Sequence, residues 1–285
     1  MQPWGALGLI LALLIVHQIV WLGVRSVAAL AVRWAQPFAT SRAYVRDHPV
    51  NAALAARFPR VHAFLAARFS ARDFTGLPLT LIVCAAIYLA ALLGGLVDEL
   101  FEAQGLEQVD RAADQLVAPL RSDPGFRVFL WVTELGASPT FVAIALVATA
   151  FLLMEKRLYH VPALWTTLLG AQATTWIGKF AIDRTRPEFL EIARAYSPSF
   201  PSGHSTAAMA VYGFLAYIVV RRVASRRVRF EVIYWTGVLI ALIGFSRIYL
   251  RVHFLSDVAS GFLVGAFWLL VGVAIAEWPR AASRR

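Results

Sequence analysis

The sequence predicts an all-α, polytopic transmembrane helix bundle, and three observations predict it. The 285-residue chain is 59% hydrophobic with a mean hydropathy of +0.65, more apolar than a water-soluble domain. Seven stretches approach the roughly 20 apolar residues that a helical span needs: 4–23, 77–97, 137–154, 161–180, 205–220, 232–250 and 258–277. The links between them alternate in charge, as the loops of a membrane protein do.

The first stretch carries Trp4 and Trp21 near its ends, where indole rings favour the membrane interface, and the last ends near Trp278. No Lys or Arg precedes Arg25, so the N-terminus lacks the basic region of a cleaved signal and reads as a retained anchor. The link after the fifth stretch, RRVASRRVRFE, is strongly basic, as are EKRLYH after the third and the tail PRAASRR. Alternation places these on one side with the Arg-rich segment 24–76, and the positive-inside bias makes that side cytoplasmic. The acidic DELFEAQGLEQVD after the second stretch then lies outside, as does the N-terminus.

The net charge of +10 and pI near 10.4 do not indicate nucleic-acid binding. The arginines sit in short runs between apolar stretches, where they orient spans and meet anionic headgroups. The single cysteine, Cys84, excludes an intrachain disulfide and is expected to be a small buried hydrophobe. Within 24–76, Phe58, Phe64, Leu65 and Phe69 alternate with arginines, the pattern of a helix lying on a leaflet or of a solvated linker. In 98–126, Leu100, Leu106, Val109, Leu116 and Leu120 among acids predict one or two helices packed on the outer face. Pro124-Gly125 is expected to break the chain before the third span. The expected organisation is an anchor and basic amphipathic segment (1–76), a catalytic membrane domain (77–277) and a basic cytoplasmic tail (278–285).

Polar residues then stand out against this frame. Lys179 ends the fourth span, His204 begins the fifth, Arg247 lies near the end of the sixth, and His253 and Asp257 flank the turn into the seventh. Ends of even spans and starts of odd spans share one face, here the outer one. Singly, each residue has an ordinary explanation as a snorkelling lysine, a turn or a helix cap; together on one face they point to a shared site. Phosphoryl transfer suits these residue types, because its catalysis is mostly positioning and charge stabilisation. Lys179, Arg186 and Arg247 supply cations, and Ser202 and Gly203 offer a hydroxyl and backbone N–H groups at a helix start. Two histidines suffice for a double displacement, one attacking phosphorus and one protonating the departing alkoxide. Asp257, a helical turn after His253, can hold its tautomer, which makes His253 the nucleophile and His204 the acid. The loops bearing the histidines lack the carboxylate cluster of a two-metal site, so no metal and no cofactor are expected.

The pattern Lys179-x6-Arg186-Pro187, Pro201-Ser202-Gly203-His204 and Ser246-Arg247-x5-His253-x3-Asp257 resembles the three-part signature of the type 2 phosphatidic acid phosphatase (PAP2) superfamily. The resemblance covers roughly 77–277, a six-span core to which the N-terminal span is extra. It implies a metal-independent phosphatase working through a phosphohistidine. Lys179, Arg186, Ser202, Gly203 and Arg247 would bind phosphate, with His204 as acid, His253 as nucleophile and Asp257 as its partner. Family members act on phosphatidate, phosphatidylglycerol phosphate, isoprenoid diphosphates such as undecaprenyl diphosphate, or lipid A phosphates. The expected partners are thus a membrane lipid phosphate and the bilayer, in a bacterial inner membrane with the site facing outward. A phosphotransferase with the same site and a non-catalytic lipid binder or transporter are the alternatives; oligomeric state is not encoded in these patterns. Arg251 departs from the family, where a small residue is often found; contact with a second phosphate is the lesser of its readings, beside contact with a headgroup alone. Asp183, Arg184, Glu188, Glu191 and Arg194 are expected to pair with one another or with water.

Overall fold

The computed structural model describes residues 15–27, 29–30, 49–70, 73–102, 105–187 and 197–282. The chain divides into two compact units, Met1–Ser70 and Ala71–Arg285. In the first, α1 (Ile15–Val27) is a short apolar helix; most of the expected span 4–23 lies outside the described residues. Helices α2 (Pro49–Arg57) and α3 (Pro59–Arg68) follow, the latter opened by a proline in its first turn. Phe58, Phe64, Leu65 and Phe69 are all exposed here.

The second unit begins with α4 (Leu77–Glu102), a 26-residue apolar helix with no buried residue. Cys84 on it is exposed, contrary to the expected burial: in a bilayer an outward-facing thiol meets hydrocarbon, and the apolar run reports lipid contact instead of a core. Helix α5 (Gly105–Val117) also reverses expectation. Its buried residues are Asp110 and Val117, while Val109 and Leu116 face outward. Pro124-Gly125 does not break the chain but starts α6 (Asp123–Glu134), whose N-cap Ser122 accepts a hydrogen bond from the Gly125 N–H at 3.3 Å. A turn at Leu135–Ala137 then leads into α7 (Ser138–Met154), bent 41° from α6.

Helix α8 (His160–Ile182) is long enough to span but less apolar than α4 and the helices that follow it. The reason is its position. Eight of its residues are buried, and its threonines satisfy themselves inside the bundle: Thr167 and Thr175 donate to the carbonyls of Ala163 and Ala171, and Thr174 accepts from the Trp268 indole at 2.9 Å. Its outward side carries the exposed Leu169, Trp176, Ile177 and Phe180, so the polar residues lie on the packed side and the apolar ones face out. Helices α9 (Gly203–Val220), α10 (Arg226–Tyr249) and α11 (Leu255–Ala282) complete the unit. Among the described residues, four helices can span by length and composition (α4, α9, α10, α11), or five if the bent α6–α7 pair is one span.

Lipid offers no hydrophobic drive for helix pairing, so close contact depends on small residues and interdigitation. Phe141, Leu164, Leu168, Val211, Phe214 and Ala276 form a shared core of α7, α8, α9 and α11. Gly261 and Gly265, one turn apart on α11, let α9 approach: a methyl group on either would lie 2.6 Å from the carbonyl oxygen of Ser202 or Thr206. Helix α9 contains a π-turn at Ala208–Tyr212, a distortion that often accompanies functional sites.

Candidate active site

The C-terminal ends of α8 and α10 and the N-terminal ends of α9 and α11 meet at one end of the bundle. Between them lies a cavity of about 310 Å³ lined by Lys179, Arg186, Ser197, Gly203, His204, Arg247 and His253, with Gly136, Phe141, Gln172 and Trp176 completing its wall. Four separated pieces of sequence thus converge on one space. Ser202 and Asp257, both fully buried, stand behind the lining. The Ser202 N–H donates to the Asp257 carbonyl oxygen at 2.9 Å, tying the start of α9 to the start of α11. The Ser202 hydroxyl accepts from Ser205 at 3.1 Å and makes no helix-capping bond.

The cations are held by backbone. Lys179 donates to the Pro198 carbonyl. Arg186 donates through Nε to the Ser197 carbonyl at 2.7 Å, and through Nη1 to the Val252 carbonyl at 2.6 Å. Its Nη2 reaches Ser197 Oγ at 3.2 Å and the Pro198 carbonyl at 3.3 Å. Burial pulls the Arg186 pKa down, with Asp257 opposing, yet a guanidinium remains charged at neutral pH. Arg247 donates to Thr133 Oγ1 at 2.5 Å, while its buried Nε has no hydrogen-bond partner among the described residues. An unmatched buried donor at an open cavity is a place where an anion's oxygen fits.

The His253 tautomer follows from its neighbours. Arg186 Nη1 lies 3.2 Å from His253 Nε2, and a guanidinium can only donate; Nε2 is therefore the unprotonated nitrogen. Nδ1 carries the hydrogen and faces Asp257 Oδ2 at 3.3 Å. Complete burial drives the His253 pKa down to about 3 despite Asp257, which raises it, with Arg247 and Arg186 pushing the same way as burial. A neutral imidazole with its lone pair toward a cationic cavity can attack an electrophile there.

Two participants escaped the sequence reading. Arg184, expected to pair within its own loop, instead donates to Asp257 Oδ1 at 2.7 Å and to Asp110 Oδ2 at 2.8 Å; its neighbours Glu188, Glu191 and Arg194 lie outside the described residues. Its place two residues before Arg186 was the available signal; Asp110 had none. Arg251 does not take part in the cavity. It takes a left-handed φ of 56°, approaches Asp114 at 3.8 Å, and is absent from the cavity lining. A left-handed φ favours glycine at this position.

Fold and site together define an integral membrane protein whose helices enclose a cationic, two-histidine cavity. Residues 159–280 match the PAP2 superfamily, and this match together with the relatives below supports a PAP2-type lipid phosphatase. It is 29% identical over 170 residues to phosphatidylglycerophosphatase B of Bacillus subtilis (strain 168), covering 59% of this chain and 84% of that protein. The crystal structure of a transmembrane PAP2 type phosphatidylglycerolphosphate phosphatase from Bacillus subtilis superposes with a TM-score of 0.63 at 26% identity, over 68% of this chain and 96% of that one. LpxE of Aquifex aeolicus gives a TM-score of 0.47 at 21% identity, over 56% and 92% of the two chains.

Proposed function

We propose that this protein hydrolyses a lipid phosphate at the outer leaflet through a phosphohistidine on His253. The observation that carries the reading is the setting of the His253 ring: Asp257 Oδ2 lies 3.3 Å from Nδ1 and Arg186 Nη1 lies 3.2 Å from Nε2, at a cavity the ring shares with His204, Lys179, Arg186 and Arg247. In this reading, His253 Nε2 attacks phosphorus and the P–O ester bond breaks. The electron pair goes to the leaving oxygen, which takes a proton from His204. Water then attacks the phosphohistidine, giving up a proton to His204, and the P–N bond breaks to release inorganic phosphate and restore neutral His253. The dianionic phosphoryl group favours the protonated form of His204 when bound. Lys179, Arg186, Arg247 and the N–H groups at Gly203 hold the three equatorial oxygens, with Ser202 supporting the turn.

Phosphatidylglycerol phosphate heads the candidate substrates, supported by the similarity to phosphatidylglycerophosphatase B; phosphatidate and undecaprenyl diphosphate are the others. The outward orientation, in a bacterial inner membrane, is supported by the arginines at the far end of the bundle. There Arg221 and Arg222 follow α9 and pair with Glu277 and Glu155, at the end opposite the cavity. In this reading residues 1–76 are an anchor and basic amphipathic segment, 77–277 the catalytic domain and 278–285 a cytoplasmic tail.

The test uses the purified full chain and lipid carrying ³²P in its terminal phosphate, in EDTA. The expected result is label in inorganic phosphate, inhibition by vanadate without added metal, and an acid-labile phosphoenzyme absent from His253→Ala. His204→Ala is expected to lose nearly all turnover. Full turnover in His253→Ala removes the nucleophile, and label appearing in a second lipid makes the protein a phosphotransferase.

A further inference from the structure

We propose that Asp110 and Arg184 are positioning residues for the reaction, forming a buried carboxylate–guanidinium bracket that fixes Asp257 and, through it, the His253 ring. The proposal rests on His253 being the nucleophile. Asp110 belongs to α5, outside the stretch 159–280 that matches the family.

The two oxygens of Asp257 have separate duties. Oδ1 accepts from Arg184 at 2.7 Å. Oδ2 faces His253 Nδ1 at 3.3 Å and accepts from the Phe254 N–H at 3.0 Å. A carboxylate held at one oxygen and along the backbone cannot rotate away from the imidazole. Arg184 is itself fixed on three sides. Its Nη1 also donates to Ser256 Oγ at 2.7 Å, its Nη2 donates to Asp110 at 2.8 Å, and its guanidinium lies 4.2 Å over the Phe254 ring. Asp110 closes the network by accepting from the Ser256 N–H at 2.9 Å and from the Ser256 hydroxyl at 2.6 Å.

Two observations separate this bracket from ordinary docking of α5. The helix exposes Val109 and Leu116 while burying an acid to 3% exposure, a costly arrangement unless the charge is needed inside. A separate clip already fastens this region: Arg121 pairs with Asp114 at 2.5 Å and donates to the Tyr249 carbonyl at 3.1 Å, and Tyr249 donates to the Leu120 carbonyl at 2.8 Å. Arg184, unlike Arg186, does not line the cavity, so it acts through Asp257 and not on phosphate.

The experiment compares kcat, KM and vanadate inhibition of the full chain with those of Asp110→Asn, Arg184→Gln, Arg184→Lys and His253→Ala. Loss of a charged hydrogen bond to Asp257 predicts a kcat about 10- to 100-fold lower in Arg184→Gln. KM and vanadate inhibition should stay within about twofold of wild type, because the cradle is untouched. Asp110→Asn, nearly isosteric, should lower kcat in the same way by a smaller factor, and Arg184→Lys should restore part of it. Unchanged kcat in both Asp110→Asn and Arg184→Gln overturns the bracket, as does a rise in KM and a weakening of vanadate in step with any loss of kcat. Should one variant fail to fold, the other and Arg184→Lys still decide by the same split. His253→Ala separates the premise: if it retains turnover, the nucleophile assignment has failed; if it is inactive, the variants judge the bracket alone.

Discussion

Gly136 offers a test of how tightly the site is built, because the constraint on it is purely spatial. It lies in the turn between α6 and α7 and lines the cavity; no described glycine has a positive φ, so alanine brings no backbone strain. A methyl group there would stand 2.6 Å from Ile243 Cγ2 and 3.3 Å from both Cβ and Cδ2 of His204. Carbon–carbon contacts are most favourable at about 3.5–4.0 Å, so the overlap with Ile243 is close to an ångström. Ile243 is completely buried and has nowhere to retreat. Overpacking of this kind costs about 1–3 kcal/mol, and an ångström of misplacement in a catalytic group costs about 100-fold in rate. Gly136→Ala is therefore expected to lower the thermal midpoint in detergent and to cut kcat for phosphate release by about 10- to 100-fold, with a smaller change in KM. Adding Ile243→Ala removes the Cγ2 methyl that the new group strikes, and the double variant should recover part of the lost kcat. A single variant with wild-type kcat and midpoint would refute the reasoning, as would a double variant no more active than the single.

Other expectations concern charge and backbone. The folded-state pKa of His253 is about 3, against roughly 6.5 for an exposed histidine. Between those values the unfolded chain binds the extra proton, so stability is full above about pH 6.5 and falls as the pH drops toward 3. Thermal midpoints measured from pH 7 to pH 4 should fall more steeply in wild type than in His253→Gln; equal slopes would disprove the depressed pKa. Arg251→Gly relieves a left-handed φ and removes a side chain directed at Asp114, away from the cavity. Its activity on mono- and diphosphate lipids should stay within about twofold of wild type, and a selective loss on diphosphates would reinstate Arg251 as a second-phosphate ligand.

The signature residues were legible because their chemistry is local: Lys179, His204, Arg247 and His253 sit at span ends whose shared face follows from counting. The cavity bringing six of the eight named residues to its surface is the spatial form of that count. What hydropathy could not convey is which helix meets lipid. Helix α8 carries threonines on its packed side, while α4, apolar throughout, buries none of its residues; in a bilayer the usual link between an apolar run and burial is lost, which is why the apolar surroundings of Cys84 do not mean burial. Asp110 was illegible for a related cause. On a helix with acids on its surface, one more acid carries no mark of facing inward, and its partner Arg184 lies 74 residues away. Nor does the apolar stretch 137–154, which begins after the turn, reveal that α6 precedes α7 at a 41° bend.

Gly261 and Gly265 set how near α9 comes to α11, and with it the spacing of the two imidazoles. That spacing depends on the close backbone approach at the two glycines and on the Ser202 N–H bond to the Asp257 carbonyl. A side chain at either glycine would therefore push the two ring-bearing helix starts apart and widen the gap a shared phosphate has to bridge.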